Sequence, residues 1–278
     1  MKIGCHVSIA NSIDRAVDRA AEIGCDTFQI FTRNPRMWKY KKLTYAEIEA
    51  FKCKVTETGI KPVFSHMPYL SNLSSPNSEI YEKSIDSLKL ELERSSLLNI
   101  PYVVTHLGSH LGKGSEKGKT QIVNAIDTAT RELEDYPMIL LENTSGKTNE
   151  MGSTFIEIGE IMNRVSIDNI GVCFDTCHAF TRGYDIASRK GLYETGEEVE
   201  KYIGFNKIRI VHLNDSKGEL GSRLDRHQHI GLGYIGEKGF RTFLDSPFRN
   251  KPLILETPVN EVRTDKENLE KARELFLT

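Results

Sequence analysis

Short apolar runs rich in Val, Ile, Leu and Phe recur along the chain, at residues 2–7, 27–31, 61–65, 102–105, 138–141, 171–174, 208–211 and 252–255. Each reads as a buried β-strand bounded by turn residues. Between them lie longer segments with helical periodicity. Ile13, Ala16, Val17, Ala20 and Ile23 share one face of a helix predicted over 12–23, and 45–58 and 78–98 read likewise. Asn11 or Ser12 can cap the first helix and Gly24 can end it. Strands that alternate with helices or long loops must pair in parallel through right-handed crossovers. An open doubly wound sheet has the same alternation. Eight repeats in one domain favour closure, so the predicted α/β architecture is a single (β/α)8 TIM barrel over 1–278.

Composition changes this picture little. A chain of 278 residues suits a barrel of roughly 250. Its 38% hydrophobic and 27% charged residues describe an ordinary globular protein. No apolar run approaches the ~20 residues needed to span a bilayer, and Met1-Lys2-Ile3-Gly4 leads into a strand rather than a leader's apolar core. The expectation is a cytoplasmic protein without a membrane partner. Five cysteines (Cys5, Cys25, Cys53, Cys173, Cys177) follow no framework spacing and read as reduced thiols. Cys173 and Cys177 could offer thiolates, but C-x3-C is not a zinc-knuckle spacing. Cys173 also shares strand parity with Asp175, which points to buried packing. The net charge of −2 gives no hint of a nucleic-acid partner. Acidic residues that ligate metal ions, however, do not repel phosphate as the formula implies.

The informative pattern is where His, Asp and Glu fall relative to the strands. His66 follows Val63-Phe64-Ser65, and His106 follows Tyr102-Val103-Val104-Thr105. Glu142, Asp175, His212 and Glu256 close the next four runs. The third to eighth strands thus all terminate in a metal-competent side chain. The carboxyl ends of barrel strands converge on one face, so these groups would ring a single cavity. A lone histidine is ordinarily a hydrogen-bonded structural residue; six coincidences with the same strand end are not explained that way.

Three more ligands lie in the two long segments 176–206 and 214–250, where function on a barrel tends to sit. His178 is three residues beyond Asp175. Asp225 and His227 are two apart, so in extended backbone they face one ion together. His229 continues that period but reads as a solvated loop residue. Nine candidates exceed the three or four protein ligands of one catalytic zinc and suffice for two or three ions if a carboxylate bridges. Imidazole and carboxylate ligation suits zinc, with manganese or iron as alternatives. Clustered ions clamp the oxygens of an in-line phosphoryl displacement, so metal-assisted phosphodiester hydrolysis follows. Gly231-Leu232-Gly233-Tyr234-Ile235-Gly236 is not a dinucleotide fingerprint, since no strand immediately precedes it; it reads as a loop leading into a helix near Phe240.

Several segments resemble the endonuclease IV family. Cys173-Phe174-Asp175-Thr176-Cys177-His178-Ala179-Phe180 with Gly183-Tyr184-Asp185 resembles its central signature. His212-Leu213-Asn214-Asp215-Ser216-Lys217, Gly221-Ser222-Arg223-Leu224-Asp225-Arg226-His227 and Pro252-Leu253-Ile254-Leu255-Glu256-Thr257 are similar to its other hallmarks. Gly4-Cys5-His6-Val7-Ser8 and Phe31-Thr32-Arg33-Asn34-Pro35-Arg36-Met37-Trp38 match near the start, so the likeness runs essentially end to end. It implies a barrel holding three Zn2+ ions beneath a DNA groove, with Mn2+ or Fe2+ as alternatives at one or more sites. His66, His106 and Glu142 would hold one ion; Asp175, His212 and Glu256 a second, bridged by Glu142; His178, Asp225 and His227 the third.

The resemblance further implies hydrolysis 5′ to abasic sites in double-stranded DNA, leaving a 3′-hydroxyl and a 5′-deoxyribose phosphate, together with trimming of blocked 3′ ends. Glu142 and Glu256 would be the catalytic carboxylates, and the enzyme would act as a monomer needing no protein partner. Arg36, Tyr69 and Leu70 match family residues that enter the duplex at the lesion. Arg33, Arg36, Lys39, Lys41 and Lys42 form a basic cluster suited to phosphate contact. Ser145-Gly146-Lys147-Thr148-Asn149 departs from the family's usual small and amide residues after Glu142-Asn143-Thr144. The alternatives are a metal-dependent sugar isomerase or epimerase of the same barrel type, and a catalytically silent DNA-binding or zinc-storage protein.

Overall fold

The computed structural model describes residues 2–277; Met1 and Thr278, the ends of the domain expected over 1–278, lie outside the described residues. The strands are β1 (Ile3–Cys5), β2 (Phe28–Ile30), β3 (Val63–His66), β4 (Tyr102–Thr105), β5 (Met138–Glu142), β6 (Ile170–Asp175), β7 (Ile208–His212), β8 (Asp215–Ser216), β9 (His227–Gln228) and β10 (Leu253–Leu255). Eight of them form one parallel sheet in the order β1-β10-β7-β6-β5-β4-β3-β2, while β8 and β9 pair antiparallel beside it. Helices α1 (Arg15–Ile23), α2 (Tyr45–Thr58), α3 (Ser78–Leu97), α4 (Ser115–Thr130), α5 (Phe155–Met162), α6 (Thr176–Arg182), α7 (Arg189–Tyr202), α8 (Gly236–Leu244) and α9 (Asp265–Leu277) lie between and after them. The (β/α)8 barrel expected from the hydrophobic pattern is the fold found. No helix among the described residues is long and apolar enough to cross a membrane.

The barrel closes between β1 and β2 through a parallel bridge, His6 to Gln29, where the Val7 N–H donates to Gln29 O at 2.8 Å. Gly4 permits this seam: a Cβ on it would fall 1.6 Å from Thr27 O. Side chains then sort by parity. Outward residues such as Val103, Leu141, Phe174, Val211 and Leu255 pack with Val17, Phe51, Leu92, Ile126 and Leu269 from the helices. Inward ones, Phe64, Val104, Leu140, Cys173, Ile210 and Ile254, fill the barrel and are wholly buried. Ile208 and Ile210 fall on opposite faces although two residues apart. The β6–β7 register shifts there, pairing Val172 with Ile208 but Cys173 with Ile210, so Arg209 is the extra residue of a bulge.

Local signals hold with one displacement. Gly24 ends α1 at φ 89°, its N–H reaching Ala20 O at 3.1 Å. The start differs: Asn11 sits at φ 75° and Ser12 O accepts from the Arg15 N–H, so 11–14 forms a turn and α1 begins at Arg15 behind Asp14. Asp14 accepts from the Ser12 hydroxyl, which draws that side chain away from helix capping.

A candidate metal centre at the carboxyl rim

Each inward apolar residue is followed, one step of strand parity higher, by a potential ligand: Phe64 by His66, Val104 by His106, Leu140 by Glu142, Cys173 by Asp175, Ile210 by His212 and Ile254 by Glu256. Strand period two therefore carries these six side chains to the carboxyl rim, facing the barrel axis. Glu142 lies at their centre. Its Oε2 is 3.1 Å from His66 Nε2 and 3.0 Å from His106 Nε2, while Oε1 is 3.0 Å from His212 Nδ1. One carboxylate thus faces two ligand groups. Asp175 and Glu256 complete the second; the ligand atoms of Glu142, Asp175, His212 and Glu256 all lie within 4.8 Å of one another.

The third group arises from a helix cap. Asp175 ends β6 and caps α6, accepting the His178 N–H at 2.7 Å. That three-residue spacing brings the His178 ring back over the rim, where Nε2 is 3.2 Å from Asp225 Oδ1. His227 is placed by β9, whose pairing with β8 sets it opposite Ser216. Asp215 anchors this loop: its buried carboxylate accepts N–H bonds from Ser216, Gly231, Gly233, Ile235 and Gly236. His178, Asp225 and His227 also come within 4.8 Å of one another. All nine expected ligands thus meet in three adjoining groups.

The hydrogen bonds fit a resident cation. A carbonyl only accepts, so the ring nitrogen facing it carries the proton. His66 Nδ1 faces Met67 O at 2.7 Å, His178 Nδ1 faces Asn143 O at 2.9 Å, and His227 Nδ1 faces Glu256 O at 3.0 Å. In the neutral rings each Nε2 then presents a lone pair toward carboxylate, an arrangement that repels unless a cation lies between. His227 Nε2 is buried without a hydrogen-bond partner, 3.9 Å from both Asp225 Oδ1 and Asp175 Oδ2. Fixing one ring nitrogen so that the other can ligate is the usual outer support of a metal histidine.

Charge balance agrees. Burial opposes ionisation of Glu142 and Glu256, yet the neighbouring imidazoles hold both below the usual carboxylate range. Burial likewise opposes protonation of His178 and His212. Asp175, Asp225 and Glu142 outweigh it for His178, and the Glu256 and Glu142 carboxylates do so for His212, so both titrate well above an ordinary imidazole. The carboxylates draw protons onto the rings that a bound metal ion would replace. Cys173 stays a thiol, pushed up to about 12 by burial, in keeping with packing rather than ligation.

Four supporting residues had not been singled out from the sequence as site residues. Gln29 donates to Glu256 Oε1 at 2.8 Å and faces His212 Nε2 through Oε1 at 2.9 Å, and His6 Nδ1 lies 3.0 Å from Gln29 Nε2. Asn214 donates to Asp175 Oδ2 at 2.7 Å and accepts from the Glu256 N–H. Asn143 bonds Asp175 at both its backbone N–H and carbonyl. A signal was available for His6 alone, which directly follows β1 as ligands follow or close the later strands; Gln29 lies in the middle of β2 and Asn214 in the loop after β7.

Around the rim, Arg36, Tyr69 and Leu70 are exposed. Tyr69 stands edge-on to Phe31, ring centroids 5.0 Å apart, at the lip of a cleft of about 330 Å³ over the ligand groups. Two expectations are corrected. Arg33 is not a surface phosphate contact: it is buried against Glu91 at 3.6 Å and bonds Ser87 Oγ. With Arg94, which bonds Thr32 and Lys41 O, it ties the Arg36 loop to α3. His229 is not solvated: it is 1% exposed, between Asn268 at 2.9 Å and Asn260 at 3.0 Å, and helps fix the His227 segment against α9.

Comparison with known proteins places this geometry. Residues 17–277 match the family described as xylose isomerase-like TIM barrel. A protein of Methanoculleus marisnigri named "Probable endonuclease 4" is 53% identical over 276 residues, covering 98% of each chain. The crystal structure of endonuclease IV from Thermus thermophilus superposes with a TM-score of 0.88 at 36% identity, covering 100% of this chain and 99% of the other. A D-tagatose 3-epimerase-like protein, at TM-score 0.74, 22% identity and coverage of 100% and 98%, shares the fold alone.

Proposed function

Because this chain belongs to the endonuclease IV family, we propose that it hydrolyses the phosphodiester 5′ to abasic sites in double-stranded DNA, leaving a 3′-hydroxyl and a 5′-deoxyribose phosphate. The same site would trim blocked 3′ ends. The observation that carries this reading is the division of Glu142 between two ligand groups, with a third group one helical turn beyond Asp175. Three ions, Zn2+ with Mn2+ or Fe2+ as substitutes, would be held by His66, His106 and Glu142; by Asp175, His212, Glu256 and bridging Glu142; and by His178, Asp225 and His227. When bound they supply Lewis acidity toward phosphodiester oxygens and lower the pKa of water.

The chain's own groups divide the remaining work. Glu142 and Glu256 hold opposite sides of the inner group, with Gln29 and Asn214 fixing the Glu256 carboxylate so that its Oε2 points inward. Arg36, Tyr69 and Leu70 are exposed above it and would enter the duplex. An apolar wedge replaces stacking lost at the lesion, and a nucleotide without a base is cheap to extrude. The protein is expected to work as a cytoplasmic monomer. A sugar epimerase on this fold would need neither the third ligand group nor the exposed wedge.

The test is purified protein incubated with duplex carrying one abasic site, with and without chelator, while bound metal is counted. Metal-dependent nicking 5′ to the site is expected. Turnover of a free ketose without nicking would transfer the chain to the epimerase reading, and bound metal without either activity would make it a silent binder.

A further inference from the structure

Among the described residues, one lysine or arginine forms an ion pair with a carboxylate of the three ligand groups. Lys147 Nζ lies 2.9 Å from Asp225 Oδ2, while Asp225 Oδ1 faces His178 at 3.2 Å. The two oxygens of Asp225 are thus divided between a fixed cation and the third group. The contact is built rather than incidental. Glu150 Oε2 accepts the Gly146 and Lys147 N–H groups, each at 3.0 Å, and the Glu150 N–H returns to Lys147 O. The turn that presents the lysine is closed on itself, with Gly146 at φ 74°.

The three groups differ in charge. The inner two share Glu142, Asp175 and Glu256, whose partners are imidazoles, amides and backbone N–H groups. The third has one carboxylate of its own, Asp225, partly exposed and already paired, with Asp175 Oδ2 standing off at 3.9 Å from His227 Nε2. A divalent ion there meets less negative charge and stands beside an ammonium.

We infer that Lys147 sets the affinity of the third subsite, making it the weakest and last-filled of the three. Its ammonium restricts Asp225 to one ligating oxygen and opposes the incoming ion electrostatically. The inference rests on the three-ion reading above and concerns how the ions are ranked.

The test titrates chelator-stripped protein with Zn2+ against a chromophoric competitor, a readout independent of DNA cleavage. The parent should take up two ions tightly and a third more weakly. Lys147→Gln keeps a donor for Asp225 Oδ2 and removes the charge. It should tighten the third step about tenfold, as expected for one half-exposed charge near a divalent ion, and leave the first two unchanged. Lys147→Arg should behave as the parent. The gain should shrink with added salt, because screening acts on a charge effect and not on loop shape. A third step present in the parent but unchanged or loosened in Lys147→Gln would overturn the assignment of Lys147 alone. Absence of a third step from both proteins would sink the three-ion reading itself and the inference with it.

Discussion

Mid-barrel and carboxyl rim are built from the same six strands, two residues apart, and do opposite things. Phe64, Val104, Leu140, Cys173, Ile210 and Ile254 meet as a dry apolar plug, each large side chain contributing about 1.5–3 kcal/mol by leaving water. His66, His106, Glu142, Asp175, His212 and Glu256, directly above, bring ionised groups together. Each such charge costs several kcal/mol to bury unless compensated. The lower layer can therefore stand by itself, whereas the upper one depends on counter-charge, first protons and then metal ions. A strand with period two places the demanding layer on the undemanding one, so the ligands inherit the stiffness of the packing beneath them.

The contrast can be broken at either layer. The largest effect is expected from Glu142→Gln, with Glu256→Gln close behind: nicking of abasic duplex should fall at least about a thousandfold while the circular dichroism spectrum is kept. Near-parental turnover would remove that carboxylate from the reaction. Leu140→Ala, one step below Glu142, should cost about 2–5 kcal/mol in denaturant unfolding yet retain metal on the folded protein. Metal loss at unchanged stability would mean that the layers are not separable. The smallest effect is expected at the lip, where Tyr69→Ala or Arg36→Ala should weaken lesion binding roughly tenfold without altering metal content. Unchanged affinity would take these residues out of DNA recognition.

Legibility in the sequence followed the same division. The barrel and its rim could be read because strand runs, parity and ligand type coincide within a few neighbouring residues: Leu140 predicts the direction of Glu142 with no knowledge of the rest of the chain. What lay outside that rule was missed. Gln29 and Asn214 carry no charge and do not stand out until Glu256 and His212 are seen beside them. Arg33 and His229 were misplaced because their burial is decided by Glu91 on α3 and Asn268 on α9, residues remote in sequence. Loop residues take their environment from distant partners, and local pattern does not register this. The start of α1 slipped for a smaller version of the same reason, Ser12 and Asp14 being engaged with each other.

The near-contact of Gly4 with the Thr27 carbonyl reaches further than its lack of a side chain suggests. A single methyl there must push aside the peptide two residues before Gln29, and Gln29 steadies both Glu256 and His212. An alanine at this position would therefore present as a chemical lesion, in lowered ion retention and turnover, although position 4 touches no ligand. A scan that sorted residues only by the groups they carry would file the barrel's fastening under catalysis.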